Sequence, residues 1–243
     1  MARRPPLEMG AGRIVPQLPL TLGAPPDQRL ERYLQAPDGL LDLLRATAAG
    51  RATDPLLLHG APATGKTHLL VATCAQAEAA GRQPAYLSLA GLRGRVRAAV
   101  EGLEAADLVA IDDLDVVAGG RDDEVALFDL HNRVRDAGRG LLYAASAAPD
   151  ALPLVLPDLR SRLAQCARWQ LPVLDDAGRA RLLRERAAAR GLDFDAAALE
   201  WMLRRCSRDL GSLTNLFEQL DRASLAAQRR LTVPFLRQVL AVD

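Results

Sequence analysis

Residues 60–67 read Gly60-Ala61-Pro62-Ala63-Thr64-Gly65-Lys66-Thr67, a complete G-x-x-x-x-G-K-T pattern, and Lys66 is the sole lysine among the 31 Lys and Arg residues. Most surface positions accept either cation. A compact ammonium that reaches between phosphate groups, by contrast, is not replaced by a wide planar guanidinium without changing the geometry. Backbone amides from Gly60 to Thr67 and the start of the next helix converge where an anion would sit, because unpaired N–H groups and the helix dipole both point there. Thr67 offers a hydroxyl to Mg²⁺, and His68 follows directly. The pattern predicts a phosphate-binding loop for a nucleotide, ADP or ATP, with Mg²⁺ beside it.

A second group lies about 45 residues further on, where the apolar run Leu108-Val109-Ala110-Ile111 ends in Asp112-Asp113. An acid at the end of such a strand holds Mg²⁺ through water, which makes Asp112 the metal-side partner of Thr67. Asp113 would then stand next to the γ-phosphate, where a carboxylate orients or deprotonates the attacking water. These residues explain binding, but they do not separate a kinase, an ATPase, a GTPase and a switch.

The elements that must position these groups are legible as alternating patterns. Pro55 to His59 is a short apolar strand, the loop follows, and Thr67 to Ala72 begins a helical period. Gly39 to Ala49 reads as a helix ahead of the first strand, and Glu124 to Arg135 as another helix. Pro84 to Leu89, Ala106 to Ile111 and Gly140 to Ala145 are strand-like. Strands separated by helices imply a mostly parallel sheet covered on both faces. Beyond Pro172 the strand signal stops, and Asp175 to Arg190, Asp195 to Arg205, Leu213 to Gln228 and Pro234 to Val239 all show helical spacing. Asp175 and Asp176 suit a helix start, and Gly191 suits its end. The expected organisation is a flexible arm over residues 1–27, an α/β nucleotide domain over 28–172 and a small helical domain over 173–243.

Composition narrows the partners. The net charge is +1, with arginines interspersed among carboxylates, so no nucleic-acid footprint is expected. No apolar run reaches the roughly 18 residues of a membrane span, and Met1 to Pro26 has no apolar signal region, so a cytoplasmic protein is expected. Cys74, Cys166 and Cys206 are too dispersed for a disulfide framework or a zinc site and read as small buried hydrophobes. His59, His68 and His131 lack ligand spacing, Trp169 and Trp201 read as core anchors, and the arginines of 179–190 read as a solvated face. Within the Pro- and Gly-rich arm, Gln17-Leu18-Pro19-Leu20-Thr21-Leu22 places leucines at every second position. An extended segment of this kind shows one apolar row to a groove on another protein.

Gly65-Lys66-Thr67-His68-Leu69-Leu70, the Asp112-Asp113 pair and the helical tail resemble the AAA+ ATPases of the DnaA type, over roughly residues 28–243. The resemblance implies an AAA+ parallel sheet flanked by helices, followed by a small all-α lid domain. It assigns γ-phosphate sensing to Ser146, in Tyr143-Ala144-Ala145-Ser146-Ala147-Ala148-Pro149, and a second sensor to Arg208, in Ser207-Arg208-Asp209-Leu210. Leu156-Pro157-Asp158-Leu159-Arg160-Ser161-Arg162-Leu163 looks like the arginine-finger segment, with Arg162 at the matching place and Arg160 as its competitor. Such a finger enters a neighbouring subunit's site and neutralises transition-state charge. Tyr33 and Leu34 fall where that family has apolar residues near the adenine, and packing of the arm explains them equally well.

The DnaA-type initiators continue into a helix-turn-helix domain, which is not expected here because the chain ends shortly after Leu231-Thr232-Val233-Pro234-Phe235-Leu236. Gln17, Leu18, Leu20 and Leu22 resemble instead the peptide that docks on the replication sliding clamp. With the tail Gln219 to Phe235, this combination is similar to the Hda family of DnaA regulators. That resemblance implies a nucleotide-bound negative regulator of replication initiation that works in the cytoplasm at the replisome. Its partners would be the sliding clamp and DnaA, with a homo-oligomer also allowed, and without sequence-specific DNA binding. Arg162 would act in trans on DnaA, while the chain's own hydrolysis would be weak or absent. Ala147-Ala148-Pro149 lacks the arginine that often follows the first sensor, and the clamp-like peptide has Pro19 and Thr21 at its variable positions. The competing reading is an autonomous AAA+ ATPase such as a helicase loader, which intact Lys66, Asp112 and Asp113 permit. The arm discriminates, because a clamp-tethered regulator gains local concentration from it.

Overall fold

The computed structural model describes residues 29–192, 194–205, 216–217, 219–224 and 230–240. Five strands form one sheet in the order β2-β3-β4-β1-β5: β1 Leu56–His59, β2 Pro84–Ser88, β3 Leu108–Asp112, β4 Gly140–Ala145 and β5 Ala167–Gln170. Every pairing is parallel, as strands joined through helices require. The helices are α1 Leu40–Ala48, α2 Lys66–Ala79, α3 Val96–Ala99, α4 Arg121–Asp136, α5 Pro157–Gln165, α6 Asp176–Ala189, α7 Ala196–Arg205 and α8 Val233–Leu240.

Successive strand residues point to opposite faces, so β1, β3 and β4 feed two cores. Leu57, Val109, Ile111, Leu141 and Tyr143 pack on one side with α3, α4 and α5. Leu56, Leu58, Leu108, Ala110, Leu142 and Ala144 pack on the other with α1 and α2. All five residues of β3 and all six of β4 are buried, which explains why these strands read as unbroken apolar runs. Arg82 closes one seam, its guanidinium donating to the carbonyls of Thr47, Ala48 and Asp107, each at 2.9 Å. It thereby satisfies carbonyls at the end of α1 that the helix leaves free. Beyond β5 a separate apolar cluster gathers Leu183, Leu199, Met202, Phe217, Leu220 and Leu236.

The expected strands, and the helices expected over 39–49, 124–135, 175–190, 195–205 and 234–239, stand within a few residues of their positions; of the helix expected over 213–228 only residues 216–217 and 219–224 are described, and these are helical. β5 is the fifth strand that sequence patterning misses: among the described residues it pairs only with β1, and three of its four residues are exposed, so it shows no apolar run. The short helices α3 and α5 were likewise not anticipated. Asp175 caps α6 by accepting from the Gly178 amide at 2.7 Å, and Gly191 follows in the left-handed region at φ 67°. The solvated-face reading of 179–190 needs one correction. Arg179 is buried, donating to the Leu174 carbonyl at 2.8 Å and to Asp176, because it sits in the first turn of α6 against the chain entering that helix. Cys74 and Cys166 are buried and unbridged, and burial pushes both thiols up to about 12, as inert core residues. Cys206 lies outside the described residues.

His131 is buried, its Nδ1 3.2 Å from the Tyr143 hydroxyl, with the two rings stacked. Burial pulls its pKa from 6.5 down to about 4, and the charges of Arg162 and Arg135 act in the same direction. The unfolded chain therefore takes up a proton as pH falls from about 6.5 to about 4, while the folded chain does not, so folding stability falls across that window. Urea unfolding at a series of pH values is expected to show this loss in the parent protein and a shallower one in His131→Phe. An unchanged slope would contradict the assignment to His131.

Candidate functional site

With β4 lying between β1 and β3, three strand ends deliver the loop after β1, the acids after β3 and Ser146 after β4 to one edge of the sheet. Ligands of open α/β sheets collect at this carboxyl edge. Gly60 begins the loop, its amide donating to the Ala145 carbonyl at 3.3 Å. Its φ of 154° and the Leu171 carbonyl, 2.8 Å from where a Cβ would stand, leave room only for glycine. Ala63 at φ 61° and Gly65 at φ 89° complete a turn that residues other than glycine rarely enter. The loop then runs directly into α2 at Lys66.

Lys66 lies along this loop, donating to the Gly60 carbonyl at 2.7 Å and the Ala61 carbonyl at 2.9 Å. Burial pulls its pKa below the ordinary lysine value, opposed in part by Asp112, Asp115 and Asp113. Thr67 Oγ1 donates to Asp112 Oδ2 at 2.6 Å, across the 45 residues that separate them in the chain. A hydroxyl and a carboxylate oxygen held this close fit the hard oxygen ligands that Mg²⁺ takes. The same Oδ2 accepts from Tyr86 Oη at 3.0 Å, and Asp112 Oδ1 accepts from the Asp113 amide at 2.9 Å. Burial, followed by the adjacent Asp112 charge, raises the Tyr86 hydroxyl well above its ordinary value, so it remains a donor.

Asp113 stands in the left-handed region at φ 57°, which turns its carboxylate away from the line of β3 and onto Ser88 Oγ at 2.7 Å. Sparsely populated backbone of this kind concentrates at functional sites. Ser146 is exposed, and its amide donates to Asp115 Oδ1 at 2.7 Å, tying the end of β4 to the turn after β3. Tyr86, Ser88 and Asp115 escaped sequence reasoning, because each belongs to no local motif and is defined by what it touches.

A cavity beside the loop is lined by Tyr33, Leu34, Gly65, His68, Leu174 and Leu182, joining the chain before α1, the loop and α6. Tyr33 donates its hydroxyl to the Thr64 carbonyl at 2.9 Å, and burial raises that hydroxyl to about 12. His68 Nε2 lies 2.9 Å from the Arg29 carbonyl. Thr64 also lines this cavity, and its Oγ1 donates to the carbonyl of Ala61, which with Pro62 precedes it in the loop.

Arg162 is in the last turn of α5, its guanidinium 6.0 Å from the centre of the Phe128 ring of α4. Arg160 is exposed, and its guanidinium donates to the Leu154 carbonyl, which ties it to the chain just before its own helix. Arg208 and the arm residues Gln17, Leu18, Leu20 and Leu22 lie outside the described residues.

Residues 42–169 match the family of the bacterial DnaA ATPase domain, and residues 176–240 match the Hda lid domain. An uncharacterised protein of Haemophilus influenzae is 35% identical over 226 residues, covering 92% of this chain and 98% of its own. Domain III of the Thermotoga maritima replication initiation protein DnaA superposes with a TM-score of 0.73 at 19% identity, covering 89% of this chain and 97% of that one. AMPPCP-bound DnaA from Aquifex aeolicus gives 0.64 at 20% identity, over 84% and 70%. The T. maritima RuvB Holliday junction branch migration motor gives 0.60 at 20% identity, over 83% and 65%. At these identities the structural likenesses establish the fold. Among the described residues, no helix is long and apolar enough to cross a membrane.

A Cβ on Gly65 would stand 2.7 Å from the Tyr33 ring, so Gly65→Ala must displace Tyr33 and also bear a left-handed backbone. We expect a loss of about 1–2 kcal/mol from the backbone and a further loss from the ring. Because the ring term needs both partners, Gly65→Ala should cost less in a Tyr33→Ala background, as read by denaturant unfolding in a double-mutant cycle. Equal costs in both backgrounds would show that the ring is not in contact.

Proposed function

The chain belongs to the bacterial DnaA ATPase family of AAA+ proteins and carries an Hda-type lid, and from that premise we propose that it is a nucleotide-bound regulator that switches off replication initiation. The observation that carries the reading is the Hda lid on residues 176–240, joined to a DnaA-type ATPase module. Lys66 and the amides of residues 60–67 would hold the phosphates of ADP or ATP, while Thr67 and Asp112 would hold Mg²⁺. Ser146, Arg208 and His68 would complete the nucleotide site. The bound nucleotide contributes phosphate charge and the ion, and the chain supplies the enclosure.

Arg162 would act outside its own subunit. Among the described residues it pairs with no carboxylate, and its guanidinium rests on an aromatic face. A cation so held is available to a partner's anion. The partner we assign is ATP-bound DnaA, whose γ-phosphate charge Arg162 would neutralise as hydrolysis proceeds. The arm residues Gln17, Leu18, Leu20 and Leu22 would dock on the sliding clamp and raise the local concentration of the regulator.

A second reading, an ATPase that spends its own nucleotide, draws support from Asp113, which is held by Ser88 Oγ beside the Thr67–Asp112 pair. Hydrolysis by purified DnaA, measured with this protein and with clamp loaded on DNA, separates the two. Stimulation should need the clamp and fall about a thousandfold or more with Arg162→Ala, the range a finger contributes, while ADP binding stays intact. Loss of ADP binding in that variant would make the arginine structural. Replacement of Gln17 and Leu18 by Ala should abolish clamp binding without changing thermal stability, and unchanged clamp affinity would reject the assignment of the arm.

A further inference from the structure

Two carboxylates at the start of α4 are buried where nothing in the nucleotide site uses them: Asp123 is 4% exposed and Glu124 is fully buried. Each is satisfied by backbone amides: those of Asp123 come from a distant connection, and those of Glu124 from the turn just before α4 and from the chain entering α5. Asp123 accepts from Gly94 at 2.6 Å and from Val96 at 3.2 Å, in the connection between β2 and β3. Glu124 accepts from Gly119 at 2.7 Å through Oε1, from Val155 at 3.1 and 2.9 Å through both oxygens, and from Leu156 at 2.6 Å through Oε2.

Leu156 is the residue that caps the start of α5, and that helix has no side-chain cap of its own. In a capping box the amide of the capping residue is taken by a glutamate three residues along the same helix. Here the glutamate arrives from a different helix. One turn further along α4, Phe128 lies beneath the guanidinium of Arg162, near the other end of α5. Residues four apart share a helix face, so a single face of α4 holds both ends of the segment that carries Arg162. Through Gly119 the same carboxylate also grips the turn that follows Asp112 and Asp113.

We propose that Glu124 is the positioning residue that sets Arg162, by fixing the start of α5 against the turn that follows Asp112 and Asp113. The inference rests on the assignment of Arg162 as a finger acting in trans. A finger works only at a defined distance from the phosphate, and a displacement of about 1 Å is enough to cost on the order of a hundredfold in rate. In Glu124→Gln the amide nitrogen opposes amide donors that a carboxylate accepts, whichever way the side chain is turned. The start of α5 is then released while the phosphate loop, which leads into α2 on the opposite face of the sheet, keeps its contacts.

The test uses the full chain with clamp on DNA and purified DnaA, and reads DnaA hydrolysis as this protein is titrated. Asp123→Asn is the matched control, since it removes a charge of similar burial that does not touch α5. Glu124→Gln is expected to lower the plateau of stimulation roughly tenfold or more, with the half-saturating concentration and ADP affinity unchanged. Asp123→Asn should keep the plateau. Hydrogen exchange at the amides of Val155 and Leu156 should speed up in Glu124→Gln and remain unchanged in Asp123→Asn. If Glu124→Gln fails to fold, Glu124→Asp, which keeps the charge and shortens the reach, is read in the same way. A plateau untouched by substitution at Glu124, or lowered equally by Asp123→Asn, overturns the inference while leaving the Arg162 reading in place. No stimulation by the parent protein, with Arg162→Ala indistinguishable from it, overturns the finger reading and the inference with it.

Discussion

The hydrogen bond from Thr67 Oγ1 to Asp112 Oδ2, at 2.6 Å, is the contact on which the rest of the site depends. It joins the first turn of α2 to the end of β3 across the intervening β4, and so defines the distance between the phosphate loop and the acidic edge. Asp112 is buried, and a buried carboxylate is costly unless its oxygens are satisfied. Thr67, Tyr86 and the Asp113 amide supply that satisfaction. The last of these also commits Asp113 to its left-handed turn, which points its carboxylate at Ser88 rather than along the strand. One buried carboxylate thus organises three neighbours directly and Ser88 through Asp113.

The sheet separates two tasks. On one face, α1 and α2 pack beneath the phosphate loop, and Tyr33 closes over Gly65 from the chain that precedes them. On the other, α4 and α5 pack together and carry Arg162. The link between the faces is the turn after β3, where Asp115 holds the Ser146 amide and Gly119 is held by Glu124. A change at the acidic edge therefore has a short route to the helix that bears the arginine, covalent as far as α4 and then through the hydrogen bonds that Glu124 accepts from Val155 and Leu156. Both ends of that route are fixed by buried or half-buried carboxylates accepting backbone amides, which are charge-assisted bonds stronger than neutral ones.

Features that depend on local pattern were readable from the chain alone. The phosphate loop is spelled out residue by residue, β3 and β4 are apolar on both faces, and Asp175 and Gly191 bracket α6 with ordinary capping chemistry. Features defined by contacts between distant segments were not. β5 is an exposed edge strand with arginine and glutamine in it, so only its pairing with β1 reveals it. Arg179 looks like one more surface arginine until α6 docks and buries it. Tyr86, Ser88 and Glu124 have no motif; their partners lie 26, 25 and up to 32 residues away. The loop and the acids of the candidate site were therefore legible, and the residues that hold them in place were not.

The central claim is that this chain's arginine, and not its own acid, accounts for nucleotide turnover in the presence of DnaA. The most direct measurement compares ATP hydrolysis in mixtures of DnaA and clamp-loaded DNA with either the parent protein or Asp113→Asn. The account predicts equal turnover in the two mixtures, because an attacking water oriented by Asp113 would belong to this chain's own site and not to DnaA's. Turnover that disappears with Asp113→Asn would mean that the hydrolysis is this chain's own, and would contradict the account.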